Sequence, residues 1–386
     1  MKRNLYLMYA IALLQGMVFY GPIATLYRQA QGVSVFQITL IESLSMALAV
    51  ALEIPWGVIA DKIGYRRTMI FCSVLFFASK LVFWQARGFS WFLVERIMLS
   101  VVMAGTSGVD SSIIYLSCAG QDSHRAFSIY YSLSTWGLLA AAGIFSLWVG
   151  DNYPLAGLLT AVSYGGAAIL SFGLKEVKGA GPSGQPQSSA RSLLCVCRET
   201  LRDRRLLLFL AAAALVTEAH QTITVFLGQL QFQRVGMGSA GIGLVHIATI
   251  VIGLCGVWSA AMTRRLGERG SFLLLCGLAA AACLTLAGNP GMALSIGGIL
   301  ALRLAHSLFE PFQVDLQNRQ IRTENRATAL SVNSMLMKGV AVATNLAFGA
   351  LSERSLSAAF LFGGMICLLS LGLFALWGRR ACPIPT

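Results

Sequence analysis

Charge is scarce in this chain: 12% of its 386 residues are Asp, Glu, Lys or Arg, while 56% are hydrophobic. A water-soluble domain of this size does not need so much apolar surface, and the mean hydropathy of +0.70 argues against one. Acids are scarcer than bases, 16 Asp and Glu against 29 Lys and Arg, and there are only four histidines. The nine cysteines are scattered, mostly inside apolar runs where a thiol packs as a small hydrophobe. Cys195 and Cys197 are the only closely spaced pair, with no His or Cys cluster nearby to complete a metal site. No nucleophile–base set and no phosphate loop occurs either, and the glycine-rich 236–241 stretch follows no strand. These absences argue against an enzyme and against a pump that uses nucleotide directly, and they imply no cofactor.

What remains is apolar length. Twelve windows of about 20 residues, enough to cross a hydrocarbon layer of ~30 Å, fall near 5–27, 35–60, 66–87, 91–117, 126–149, 153–174, 206–231, 240–262, 271–288, 292–315, 327–350 and 355–377. The pattern predicts an all-α membrane protein of twelve transmembrane helices. The first window follows Met1, Lys2 and Arg3 but is too long for a secretory leader, and no small-residue cleavage site precedes a soluble domain.

The net charge of +13 is distributed as a topology signal. With the N-terminus inside, 21 of the 29 basic residues, from Lys2 and Arg3 to Arg379 and Arg380, fall on the cytoplasmic side. Arg28, Arg87, Arg234 and Arg354 fall on the other. Both termini are therefore expected in the cytoplasm, the basic balance is attributed to orientation and anionic lipid, and no nucleic-acid partner is expected. Residues 175–205 open with glycine, proline and serine and then turn basic, which reads as a flexible cytoplasmic linker followed by an amphipathic surface segment. The expected domains are 1–174, this linker, and 206–386.

The stretch from Gly57 to Arg67 carries the densest information. Asp61, Lys62, Gly64, Arg66 and Arg67 crowd a short turn between two spanning runs, which forces an antiparallel hairpin with its charges at the water boundary. The two halves echo one another. Gly64 to Asp110 is 46 positions and Gly267 to Glu310 is 43, while Asp110 to Arg125 is 15 and Glu310 to Arg326 is 16. Duplicated six-helix halves around a central cavity are a transporter architecture.

The Gly57–Arg67 turn, Glu53-Ile54-Pro55-Trp56, Ser107-Gly108-Val109-Asp110 with Tyr115, and Glu310-Pro311 followed by Arg326-Ala327-Thr328 together resemble a bacterial branch of the major facilitator superfamily. The resemblance covers nearly the whole chain. Two departures are Tyr65, where a basic residue is common, and Arg264, which stands where the second half's acid would be. The resemblance implies two pseudo-symmetric six-helix bundles, alternating access, and a cavity lined by helices 1, 4, 7 and 10.

Alternating access needs latches that form in one state and break in the other. Asp61, Gly64, Arg66, Arg67, Asp110 and Arg125 are the candidate gating network, with Glu310 and Arg326 as the second-half counterpart. The alternative is plain topology, bases held inside and acids neutralising them. Nearer the bilayer midplane, where an ionisable group is costly unless paired or wet, stand Glu218, Arg303 and Lys338, expected to share one polar region. Glu218 is the leading proton-coupling candidate, with His220 and His306 beside it; a fixed Glu218–Arg303 ion pair is the structural alternative. Gln15, Tyr20, Gln221 and Asn333 complete the candidate substrate cavity, although helix–helix hydrogen bonding accounts for such residues equally well. Trp84, Trp91, Trp148 and Trp377 read as interfacial anchors, and Gly137, Gly143, Gly253, Gly339 and Gly349 as close-packing or bending points. Lys80 and the Glu95-Arg96 pair read as snorkelling or mutually paired residues near the outer side.

Three function classes follow. The first is a proton-coupled exporter of small amphiphilic compounds such as drugs or siderophore-like metabolites. The second is an importer of a small, anionic nutrient, and the third a receptor that binds without transporting. The expected setting is the cytoplasmic (inner) membrane, as a monomer, with a small-molecule substrate, protons and lipid as partners.

Overall fold

The computed structural model describes residues 2–118, 122–177, 201–320 and 326–379, and within these the chain is helical almost throughout. Eleven helical stretches are long and apolar enough to cross a membrane. The longest, Ser239–Ala287, has 49 residues, roughly 70 Å at 1.5 Å per residue, more than twice the ~30 Å of a hydrocarbon layer. It breaks at Gly267 (φ 69, ψ 173), so it supplies two crossings and the total is twelve.

We number the crossings α1 (Lys2–Ala30), α2 (Val35–Ile63), α3 (Tyr65–Gln85), α4 (Gly88–Cys118), α5 (Ser123–Val149), α6 (Tyr153–Phe172), α7 (Arg204–Arg234), α8 (239–266), α9 (268–287), α10 (Met292–Gln320), α11 (Arg326–Arg354) and α12 (Leu356–Arg379). Their starts follow the sequence chemistry. Asp122, Asn152 and Asp203 each accept a backbone N–H in the first turn of α5, α6 and α7.

Two compact units result. The first holds α1–α6 together with Gly238–Ile247; the second holds α7 and 248–379. The opening of α8 therefore groups with the first unit rather than with 206–386 as expected, and Tyr153 Oη lies 3.4 Å from Ser239 Oγ. The first unit packs Met8, Ile11, Met69, Ile113, Ile114 and Leu174 into one core. The second is more aromatic: Phe272 and Phe374 stack with centroids 3.6 Å apart, beside Phe209, Phe309 and Phe312.

The hairpin expected at Gly57–Arg67 is tighter than its sequence suggests. Helix α2 continues to Ile63 and α3 begins at Tyr65, so the turn is Gly64 alone. Its φ of 89° and ψ of 151° lie where a side chain is strained. Gly267 repeats that backbone in the second unit.

Two residues after each glycine, an arginine ties down the end of the unit's last helix. Arg66 donates from Nε to Leu174 O at 2.6 Å and from Nη2 to Phe172 O at 3.2 Å, where α6 ends. Arg269 donates from Nη2 to Gly378 O at 3.2 Å, at the end of α12. A guanidinium there meets carbonyls with no helical partner and the negative end of the helix dipole. The first unit adds Glu176, which accepts the Arg66 backbone N–H at 3.3 Å. Asn4 also exchanges two 2.9 Å hydrogen bonds with the Lys175 backbone. The sequence reading put residues 175–177 in the linker; here they are fastened to α1 and α3.

Arg66→Gln is expected to lower stability by about 1–3 kcal/mol, because two charge-assisted bonds at a half-buried site are lost. Arg269→Gln, exposed and singly bonded, should cost less than about 1 kcal/mol. Thermal melts in detergent that reverse this order would refute the assignment.

The breaks inside crossings were not expected. Helix α1 loses regular geometry at 17–20, and α7 winds as a π-helix over Thr222–Leu227. Helix α4 is broken at Gly108 (φ 81) into Gly88–Thr106 and Val109–Cys118, so the Ser107–Asp110 stretch is a helix break. Cys195, Cys197 and the rest of residues 178–200, which hold the glycine-rich linker and most of the predicted amphipathic segment, lie outside the described residues.

Candidate functional site

A polar cavity of about 290 Å³ opens in the second unit between α7, α10 and α11. Thr217 and Glu218 line it from α7, Gln313 and Gln317 from α10, Ser334 and Lys338 from α11, with only Ala214 and Met337 apolar. Glu218 is buried and lies ~20 Å from the start of α7 at 1.5 Å per residue. Thr217 Oγ1 donates to Gln313 Oε1 at 3.2 Å, and Gln313 Nε2 approaches Met337 Sδ at 3.5 Å. The glutamine is thus held with its amide on the cavity wall.

Local irregularity positions these groups. Pro311 sits inside α10 and offers no N–H to Ser307 O. Ser259 Oγ donates to Leu308 O at 2.6 Å one residue on, and the chain at Gly256 comes close enough that a Cβ there would lie 2.9 Å from Ser307 O. On α7 the π-segment begins four residues after Glu218, and its first residue donates from Thr222 Oγ1 to Asn345 Oδ1 at 2.5 Å. Such segments recur at functional sites because their wider turn frees backbone groups.

Neither His220 of α7 nor His306 of α10 lines the cavity; the two rings stack face to face, centroids 3.9 Å apart and planes within 6°. Neither ring nitrogen of His220 has a hydrogen-bond partner among the described residues. Coulomb repulsion at this separation disfavours charge on both rings. His306 Nε2 lies 4.0 Å from Glu310 Oε2.

The expected cavity residues divide. Glu218 and Lys338 share the cavity; Arg303 does not line it. Its Nε donates to Thr249 O at 3.1 Å and its guanidinium covers Gly253, so the fixed Glu218–Arg303 ion pair does not occur. Gln221 stands at the edge of the π-segment, half-buried. Asn333 is wholly buried and lines no wall of this cavity. Gln15 is half-buried in the first unit, where its carbonyl accepts Tyr164 Oη at 2.6 Å.

The gating candidates are dispersed as well. Arg66 is occupied with the end of α6, as above. Asp110 opens the short second segment of α4, taking the Ser111 N–H at 2.7 Å and Tyr130 Oη at 3.4 Å. Arg67 is exposed, and Arg125 donates its backbone N–H to Asp122. Glu310 is 69% exposed and meets His306. The side chains of Asp61 and Arg326 lie outside the described residues. A network not foreseen joins the helix ends of the second unit: Arg319 bridges Glu268 at 3.1 Å and Asp315 at 2.5 Å. The i, i+4 spacing of Asp315 and Arg319 was the available signal.

In the first unit the two accounts of Lys80 and Glu95 separate: they are mutually paired at 3.1 Å and, at 4% and 1% exposed, do not snorkel. Tyr20, expected in the substrate cavity, accepts from Lys80 Nζ at 3.0 Å and stacks on Phe83. Arg96 pairs with Glu42 at 2.6 Å and lies 4.0 Å from the second oxygen of Glu95. Trp377 is likewise no interfacial anchor: it is buried, donates to Gln320 Oε1 at 3.2 Å and lies under Arg205.

Comparison with known proteins bears on this arrangement. The family profile described as Major Facilitator Superfamily matches residues 5–344. The crystal structure of the nucleoside transporter NupG is similar with a TM-score of 0.80 at 14% identity, over 98% of this chain and 99% of that one. A bacterial homolog of the human lysosomal transporter Spinster, inward-facing and unoccupied, gives 0.73 at 16%, over 99% and 98%. A D-xylose–proton symporter gives 0.69 at 14%, over 97% of each. Among curated proteins, no relative matches the sequence.

Proposed function

The chain belongs to the Major Facilitator Superfamily, a multi-pass membrane transporter working by alternating access, and from that premise we propose that it couples protons to the movement of a small hydrophilic solute. The observation that carries this reading is the Glu218 cavity, in which six of eight lining residues are polar or charged. Sites for drug-like ligands are lined mostly by apolar residues with a few polar groups; here most of the lining residues carry a polar or charged group. Glu218 is the proton carrier in the proposal. A buried carboxylate that shares a cavity with Lys338 changes protonation whenever the distance to that ammonium, or the access of water, changes between states. His220, two residues after Glu218, and His306 stacked on it are the second proton-bearing group.

Glu218→Gln should abolish uphill, pH-driven transport while leaving solute exchange within about threefold of wild type, since binding persists and only the coupled proton is lost. Proteoliposomes with an imposed pH gradient, scored for uptake and counterflow, separate the two. Loss of both activities in a folded protein would remove Glu218 from the coupling role.

Direction divides two readings. Symport into the cell suits the hydrophilic lining and the second function class above. Export by antiport rests on the resemblance of the Glu53–Trp56, Ser107–Asp110 and Glu310-Pro311 motifs to a bacterial branch that includes many exporters, and an amphiphilic substrate would have to meet apolar surface elsewhere. Inverted vesicles decide: solute accumulation on acidifying the lumen marks an antiporter. Placement in the cytoplasmic membrane with both termini inside rests on the basic-residue asymmetry, and we propose the monomer as the working unit.

A further inference from the structure

We propose that Arg28 and its neighbours in the first unit bind one small monovalent anion, either chloride or a carboxylate group of the transported solute, at a site separate from the Glu218 cavity. Five ionisable side chains meet there: Arg28 from α1, Glu42 from α2, Lys80 from α3, and Glu95 and Arg96 from α4. Three are cations and two are carboxylates, so the cluster carries one excess positive charge. The carboxylates are already committed. Glu95 faces Lys80 at 3.1 Å and Arg96 at 4.0 Å, and Glu42 faces Arg96 at 2.6 Å.

Arg28 is the cation left over. It is 4% exposed, its Nε is sealed from solvent, and among the described residues its guanidinium has neither hydrogen bond nor ion pair. Its carbon lies 5.5 Å from the centre of the Phe83 ring and 5.8 Å from that of Phe92. These rings fix the plane of the guanidinium by cation–π contact and supply no acceptor to its N–H edge. A buried charge of this kind is normally paired, and a guanidinium edge is shaped for a carboxylate or a small anion. A single excess charge calls for a monovalent partner.

The fold itself does not require these charges. The 203-residue offset that carries Gly64 onto Gly267 and Arg66 onto Arg269 carries Arg28 onto Gln231, Glu42 onto Val245, Lys80 onto Cys283, Glu95 onto Gly298 and Arg96 onto Ile299. In the second unit Gln231 Nε2 donates to Ser295 Oγ at 2.9 Å, a neutral bond that closes the corresponding region. One half thus packs without a charge at any of the five positions. The other retains five, unbalanced by one.

The experiment is equilibrium dialysis of the purified full chain in lipid nanodiscs against radiolabelled chloride and, separately, radiolabelled acetate. Saturable binding of about one anion per chain is the expected result, and Arg28→Gln should weaken it at least roughly tenfold while Arg28→Lys, which keeps the charge but not the fork, falls between. Chloride binding that survives addition of the transported solute assigns the inorganic anion; acetate binding that the solute displaces assigns the solute's carboxylate. Absence of saturable binding of either anion to the wild-type chain up to roughly 100 mM overturns the proposal, a result that does not depend on any variant folding. Unchanged affinity in a folded Arg28→Gln protein overturns it as well. Glu218→Gln should leave this binding intact, so a failure of proton coupling and a failure of anion binding are read separately.

Discussion

Lys80→Met should destabilise the protein by about 3–5 kcal/mol, because it strands the Glu95 carboxylate in the interior with its nearest cation removed. Lys80 and Glu95 are 4% and 1% exposed, so water cannot replace the ammonium without opening α3 from α4. The double variant Lys80→Met, Glu95→Gln should recover most of that loss, since both charges leave together and the cluster keeps its excess of one. Replacing a buried pair by neutral groups is often close to harmless, whereas removing one partner is not. Thermal unfolding of the two variants in the same detergent gives the comparison. A double variant no more stable than the single one would mean that the ion pair is not the unit that matters.

Gly137→Val should be nearly as damaging for a steric reason. A Cβ at Gly137 would lie 2.2 Å from Leu13 O, and one at Gly16 would lie 2.2 Å from Ser134 O. Backbone faces backbone at this crossing of α1 and α5, so no side chain can yield and the helices must part. The expected cost is about 3 kcal/mol or more, seen as a loss of the monodisperse peak in detergent chromatography and of transport. Gly143, on the same α5, has nothing within 4 Å of its would-be Cβ. Gly143→Val should therefore leave both readouts near wild type, and equal damage from the two substitutions would defeat the close-crossing account.

The sequence separated these two glycines poorly, for a physical reason. Both lie in the same apolar helix, and only the facing chain distinguishes them. The crossings themselves were legible, because about 20 apolar residues in a row have few alternatives in water or lipid. So was the internal duplication, since Gly64 and Gly267 hold special backbone that few other residues accept. Interruptions within crossings left no comparable trace. The π-segment at Thr222–Leu227 and the broken α1 at 17–20 are made of residues that pack as well in a regular helix.

At the candidate site, depth along a helix could be counted but azimuth could not be fixed. Glu218, Arg303 and Lys338 sit at similar depth, yet Arg303 points to the Thr249 carbonyl while the other two share a cavity. The weak amphipathicity of an intramembrane helix explains this, since lipid and protein interior are both apolar. Arg28 was assigned to an outer loop because the apolar run fades near Tyr27; the helix continues to Ala30 and turns the guanidinium inward. Comparing the halves for positions where one is charged and the other is not would have singled out the cluster.

The arginine ties after Gly64 and Gly267 have a consequence for how the chain can be rebuilt. Each unit fastens its own last helix to its own third with an arginine of its own, so replacing one of the two arginines releases the tie of that unit and leaves the other's in place.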